Sequence, residues 1–268
     1  MPPLPAEAGF LETVALGLLQ GPAELLPISS SAHVELLPWL LGFRHARLDG
    51  ARRKEVAVAL HGGTALALLA LKGPPARERM GFLAVATAPA AVAGLALERA
   101  IEQRLGTPRD IACGLLGGSV ALLASDRAGS HRTAHEAGMG DALALGLAQA
   151  AALVPGISRS GATRSMARGR GFSRPAAISL SEDAALPLLV GATVLKGARL
   201  AGRRPPWRAL AALAGGAAAA AGSSALALRS RRAAAVPPSA WAAYRTGLAI
   251  GALWAARSDR GLRETDGR

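Results

Sequence analysis

A carboxylate, three hydroxyls and an imidazole lie close together near the start of the chain, in Gln20-Gly-Pro-Ala-Glu24-Leu-Leu-Pro27-Ile-Ser29-Ser30-Ser31-Ala-His33. Gln20 and Glu24 are four apart and share a helix face. Ser30 and His33 are three apart and share one if a helix starts near Ser29. A hydroxyl beside an imidazole works as a nucleophile with its base. A serine run after a proline also suits a helix N-cap, and the unpaired N–H groups of such an end bind phosphate. A plain serine cap beside an interfacial histidine would account for the hydroxyls and for His33. It would not account for Glu24, because a carboxylate in an apolar segment faces a cavity, a cation or an arginine.

A second cluster, Pro155-Gly-Ile-Ser158-Arg159-Ser160-Gly161-Ala-Thr163, places a cation between two hydroxyls and a glycine inside an apolar stretch. Guanidinium matches phosphate as a bidentate fork. The bland alternative is an arginine solvated at a loop end. Taken together, the two clusters suit an anionic, phosphate-bearing ligand. Gln20, Ser29, Ser31, Ser158, Ser160, Gly161 and Thr163 are the candidate contacts to it. Glu24 is a candidate ligand for a divalent cation, which takes oxygen ligands and often bridges to substrate phosphates. Paired His/Cys spacing for zinc and a Walker loop are both missing.

The elements that must position these groups repeat. Gly17-Leu-Leu-Gln20 matches Gly146-Leu-Ala-Gln149, and Ile28-Ser-Ser-Ser31 matches Ile157-Ser-Arg-Ser160, both at an offset of 129 residues. Each match sits at a polar break in an apolar run, so the chain reads as one membrane domain, residues 1–268, with halves near 1–130 and 131–268. In membrane proteins built from inverted repeats, binding sites lie where corresponding broken helices meet.

Uncharged runs of 18 residues (Met80–Leu97), 20 (Ala209–Leu228), 17 (Ala142–Ser158), 16 (Val56–Leu71) and 15 (Ile111–Ser125) set the fold class. A bilayer core of about 30 Å takes roughly 20 apolar residues per helix, whereas a soluble amphipathic helix carries charge every third or fourth residue. Candidate helices fall near 10–26, 34–43, 56–72, 80–98, 110–125, 141–154, 164–171, 176–200, 207–228 and 239–256. The small-residue run Ala214–Ala221 suits close helix packing. The net charge of +13 sits in short arginine clusters between apolar runs, as expected of loops beside anionic lipid, and nucleic acid is not the expected partner. Cys113 is the one cysteine, so no intramolecular disulfide forms. The first ten residues carry no basic n-region, and the first span is expected to be retained, not cleaved.

The two motifs are similar to the signatures of the bacterial undecaprenyl-diphosphate phosphatases, the bacitracin-resistance (BacA/UppP) family: Gln20–His33 resembles the first and Pro155–Thr163 the second, PG-x-SRSG-x-T. The likeness continues through Phe172-Ser-Arg174, Ala176-Ala177, Leu186-Pro187 and Gly191-Ala-Thr193. The resemblance implies an all-α polytopic membrane protein of the bacterial inner membrane. It would have about 8–10 membrane segments and an inverted repeat with two re-entrant helix pairs. The implied reaction removes the terminal phosphate of undecaprenyl diphosphate, aided by Mg²⁺ or Ca²⁺, to recycle the carrier lipid for peptidoglycan. On the matching positions, Glu24 falls on the second motif acid, Gln20 on the first and Ser30 on the proposed nucleophile. His33 is its base or the nucleophile itself, and Arg159 is the phosphate-binding arginine. A homodimer stays open.

Two departures bear on the lipid. Ala32 stands where the family has glycine. Leu180-Ser-Glu182-Asp183-Ala-Ala185 replaces an apolar, aromatic stretch, and its acids are expected to pair with Arg164, Arg168 or Arg170 or to line the cavity. Rival readings are a transporter or flippase for a polyprenyl phosphate and a phosphatase for another isoprenoid diphosphate. A carrier would need Arg159 and the helix ends but not Ser30 and His33.

Overall fold

The uncharged runs become helices. The structure, a computed structural model, describes residues 9–126, 131–200, 206–230 and 236–266. Among the described residues there are ten α-helices and no strands. They are α1 (Phe10–Leu25), α2 (Ser30–Leu41), α3 (Gly50–Lys72), α4 (Met80–Arg104) and α5 (Pro108–Asp126), then α6 (Met139–Ala151), α7 (Arg159–Gly169), α8 (Arg174–Leu200), α9 (Trp207–Arg229) and α10 (Pro238–Asp266). The expectation of a retained first span rests partly on residues 1–8, which lie outside the described residues.

Among the described residues, four helices are long and apolar enough to cross a membrane: Gly50–Lys72, Arg77–Leu97, Arg174–Arg199 and Trp207–Arg229. At about 1.5 Å per residue, 23 residues of α3 or α9 reach about 35 Å, more than a bilayer core. Their outward faces carry exposed Leu66, Val92, Leu95, Val194, Leu210 and Leu226, large apolar side chains suited to lipid contact. The chain is an all-α, multi-pass membrane protein. The expected eight to ten segments divide unequally. Helices α1, α2, α6 and α7, of 16, 12, 13 and 11 residues, are too short to cross alone.

Two of these short helices start earlier than the apolar pattern suggested, at 30 instead of 34 and at 159 instead of 164. Serine caps set the start. Ser29 Oγ accepts from the Ala32 N–H at 3.4 Å, and Ser158 Oγ accepts from the Gly161 N–H at 3.1 Å.

Small residues decide the packing. Helix α1 packs most extensively on α9, where a Cβ on Gly17 or Gly21 would overlap the backbone of Gly216 or Ser224. Gly63 on α3 meets the backbone of Ala217 in the same way, so the alanine and glycine run of α9 is a packing surface. An offset of 129 residues carries α1–α5 onto α6–α10, and the packing follows it. Helix α6 packs on α4, as α1 does on α9, while α3 meets α8 and α5 meets α10.

One buried guanidinium joins the two breaks. Arg245 on α10 is 0% exposed. It donates to Pro27 O at 3.0 Å, to Gly156 O at 3.2 Å and to Leu115 O at 3.2 Å. Irregular backbone inside a membrane protein needs such internal partners. Arg245 therefore satisfies the linker before α2 and the linker before α7 at once.

Candidate active site

Helix α1 ends beside the start of α7, and Glu24 is the junction. Its side chain is 5% exposed. Oε2 accepts from Ser30 Oγ at 2.5 Å and from Gln20 Nε2 at 3.3 Å, and it lies 3.4 Å from His61 Nε2. Oε1 accepts from Arg159 Nη2 at 3.0 Å. A carboxylate near the end of one helix is thus satisfied by α1, α2, α3 and α7 together. Burying it would otherwise be costly.

Arg159 is the first residue of α7. Besides Glu24 it donates from Nη1 to Ser181 O of α8 at 2.9 Å, and its Nε is buried without a partner. Gln20 Oε1 is likewise buried and unpartnered. Buried polar atoms are nearly always hydrogen-bonded, so the Arg159 Nε–H beside a hydroxyl and a carboxylate is a donor that a ligand oxygen could take.

The expected Ser30–His33 pair does not form, because both members are taken by other groups. Ser30 bonds Glu24. His33 Nδ1 donates to Ser29 O at 2.7 Å, and Nε2 lies 2.6 Å from the Tyr244 hydroxyl. The two rings stack with centroids 5.6 Å apart. With Nδ1 carrying the proton for the carbonyl, Nε2 of a neutral ring accepts from Tyr244. The base nearest Ser30 is Glu24, and His33 instead fastens the first turn of α2 to α10.

The remaining expected contacts divide. Ser29 and Ser31 share a hydroxyl contact at 3.2 Å, with Ser29 buried and Ser31 exposed. Ser158 and Ser160 pair in the same way at 3.1 Å, but Ser160 donates to Leu26 O at 2.6 Å. Thr163, fully buried, bonds Arg159 O at 2.9 Å and Ser181 Oγ at 2.7 Å. Gly161 keeps α7 clear of Arg245, whose Nη1 would sit 3.1 Å from an added Cβ. The hydroxyls of the second motif thus all have protein partners.

Glu182 and Asp183 do not pair with the α7 arginines. Both bond Lys72 at the end of α3, at 3.1 Å and 2.6 Å, and with it line a cavity of about 290 Å³. Arg164 donates to Leu25 O at 2.6 Å, Arg168 to Phe172 O at 2.7 Å, and Arg170 pairs with Asp141.

Sequence reasoning passed over His61, Tyr244 and Arg245. Each is a polar or ionisable group inside an apolar run, which is itself a signal of an interior role. What the sequence could not supply was their common destination. No group of three His, Cys, Asp or Glu that could hold a metal ion occurs among the described residues. Glu24 and the Ser30 hydroxyl are oxygen groups at the junction that could hold a divalent cation.

The model of the family described as bacitracin resistance protein BacA matches residues 13–251. The chain is 38% identical over 201 residues to an undecaprenyl-diphosphatase of Desulforudis audaxviator, covering 69% of this chain and 75% of that protein. It is 37% identical over 227 residues to that of Geobacter sulfurreducens, covering 76% and 81%. With the enzyme of Hahella chejuensis it shares 34% identity over 223 residues, covering 75% and 82%.

Proposed function

The chain belongs to the bacitracin resistance protein BacA family, and on that premise we propose that it hydrolyses undecaprenyl diphosphate to undecaprenyl phosphate and inorganic phosphate. The reaction returns the carrier lipid to cell-wall synthesis, and the chain works in the bacterial inner membrane. The short pairs α1–α2 and α6–α7 serve as re-entrant hairpins whose tips meet at the Glu24–Arg159 contact. The observation that carries the reading is this junction, where a serine hydroxyl, its carboxylate acceptor and an arginine with an unpartnered N–H converge.

Ser30 Oγ attacks the terminal phosphorus in line. Its proton passes to Glu24, 2.5 Å away, a base step worth about 10²–10⁴ in rate. The bridging P–O bond breaks, and undecaprenyl phosphate leaves with the electron pair. Water then hydrolyses the phosphoserine, releasing phosphate and regenerating Ser30. Arg159 neutralises the transferring phosphoryl, where most of the stabilisation in such reactions lies. The N–H groups at the start of α2 add to it. Glu24 would hold a divalent cation, which would supply further charge neutralisation.

The test is phosphate release by purified protein in detergent from C55 and C15 diphosphates, with and without EDTA. Release from the C55 substrate is expected, lowered at least tenfold by EDTA and about 10³-fold in Arg159→Ala. No release from either substrate would leave the carrier reading in place of the enzyme. Preference for C15 would assign the chain to another isoprenoid diphosphate. The Lys72–Glu182–Asp183 cluster, in place of an apolar stretch, makes that arm worth running.

A further inference from the structure

Helix α7 carries more arginine than the Glu24 junction uses. Five residues beyond Arg159, and on a different face of the helix, Arg164 and then Arg168 turn toward a second cavity of about 50 Å³, bounded by Pro27, Ser125, Ser165 and Arg174. Roughly 10–15 Å³ of such volume admits one water, so the space holds a few waters or a single phosphate group.

The charge balance there is positive. Asp126 accepts both Arg174 Nε and Nη2, at 3.0 Å and 2.8 Å, and lies 4.0 Å from Arg168 Nη2. Arg164 pairs with the Leu25 carbonyl and with no carboxylate among the described residues. Glu182, the acid that acts on it electrostatically, is bonded to Lys72. Among the described residues, three guanidiniums thus face one carboxylate. Two helices end at this place, α5 and α7, and two begin, α8 and α10, so their dipoles offset one another and the arginines set the field. Two side-chain atoms there are buried without a partner, Arg164 Nε and Ser165 Oγ. A native structure seldom leaves such atoms unmatched.

We infer that Arg164, Ser165, Arg168 and Arg174 form a second anion site that binds one phosphate group, separate from the Glu24 junction. Free phosphate and the phosphate of an anionic lipid offer the same chemistry. The site backs onto the Leu25–Pro27 linker through Arg164, so its occupant would sit behind the segment that carries the first motif.

Two probes on the purified full chain test this. The first is equilibrium dialysis with radiolabelled inorganic phosphate. The second is native mass spectrometry from bilayer discs of phosphatidylcholine with or without phosphatidylglycerol. The Arg159→Ala background removes the first site. In that background one phosphate, or one phosphatidylglycerol, is expected to remain bound. Adding Arg164→Gln should weaken it at least tenfold, since a charge-assisted bond is lost. Ser165→Ala removes a hydroxyl that no protein group uses and should leave folding intact while weakening binding about threefold to tenfold. Loss in the dialysis arm alone identifies free phosphate, and loss in the lipid arm alone identifies a headgroup. The inference is overturned if neither probe binds in the Arg159→Ala background, or if both added substitutions leave binding unchanged.

Discussion

The first and second motifs are built alike and used differently. In each, a serine caps a short helix, and that serine and the one two residues on share a hydroxyl contact, at 3.2 Å and 3.1 Å. Between those serines stands Ser30 in one copy and Arg159 in the other, and the two meet through Glu24. The first copy keeps its middle hydroxyl for a carboxylate. The second directs Ser160 and Thr163 to backbone carbonyls. The copies also turn by different means. In the second, Gly156 takes the positive φ of 90° and its cap Ser158 is relaxed at φ −64°. In the first, the cap Ser29 itself sits at φ 74°, a conformation costly to any residue but glycine. Strain of this kind collects where geometry is held for chemistry. The repeated packing therefore brings the two motifs together, and the difference between the copies sets Ser30 and Arg159 on one carboxylate, Glu24.

Three pairs of substitutions would break or sharpen that comparison. The largest difference is expected between Ser30→Ala and Ser160→Ala. The first should lower kcat by roughly 10³-fold or more, as loss of a nucleophile does. The second should lower it less than about tenfold while costing about 1 kcal/mol of stability through the bond to Leu26 O. Equal kinetic losses would mean that the copies share the chemistry.

Next come the corresponding glycines Gly17 and Gly146. An added methyl at Gly17 would strike the Gly216 backbone, whereas at Gly146 the nearest atoms are Pro89 ring carbons, 2.8 Å away. Gly17→Ala is expected to cost about 3 kcal/mol or more and Gly146→Ala about 1–3 kcal/mol, the range for overpacking. Thermal unfolding in detergent measures both, and a larger loss at Gly146 would contradict the packing described for α1.

The smallest effect tests the strain. Ser29→Gly gives up a long cap bond of 3.4 Å and relieves a positive φ worth about 1 kcal/mol or more, so Tm should rise. Ser158→Gly relieves nothing and should lower Tm slightly, since such a cap change costs a few tenths of a kcal/mol. Activity of Ser29→Gly is expected to fall as Tm rises. A fall in Tm there would place the cap bond above the strain.

Much of the helix order could be read from charge alone, because an uncharged run of spanning length has few other homes. The short helices were less readable. Their starts at Ser30 and Arg159 depend on caps; the serine run after Pro27 pointed to the first, while nothing in the apolar pattern near residue 164 pointed to the second. The site was readable in its members but not in its pairs. Ser30 and His33 share a helix face by spacing, yet Glu24 and Tyr244 outcompete each for the other. His61 and Tyr244 stood in apolar runs with nothing in the local sequence to say which group they would reach.

The sequence by itself determined the multi-pass helical class, the repeated motifs and the candidate site residues, because these follow from hydropathy, spacing and side-chain chemistry. Only the tertiary structure decided that Glu24 would be the hub. Its four side-chain neighbours come from positions 20, 30, 61 and 159, and a buried carboxylate takes whatever donors the packing of α1, α2, α3 and α7 brings within reach.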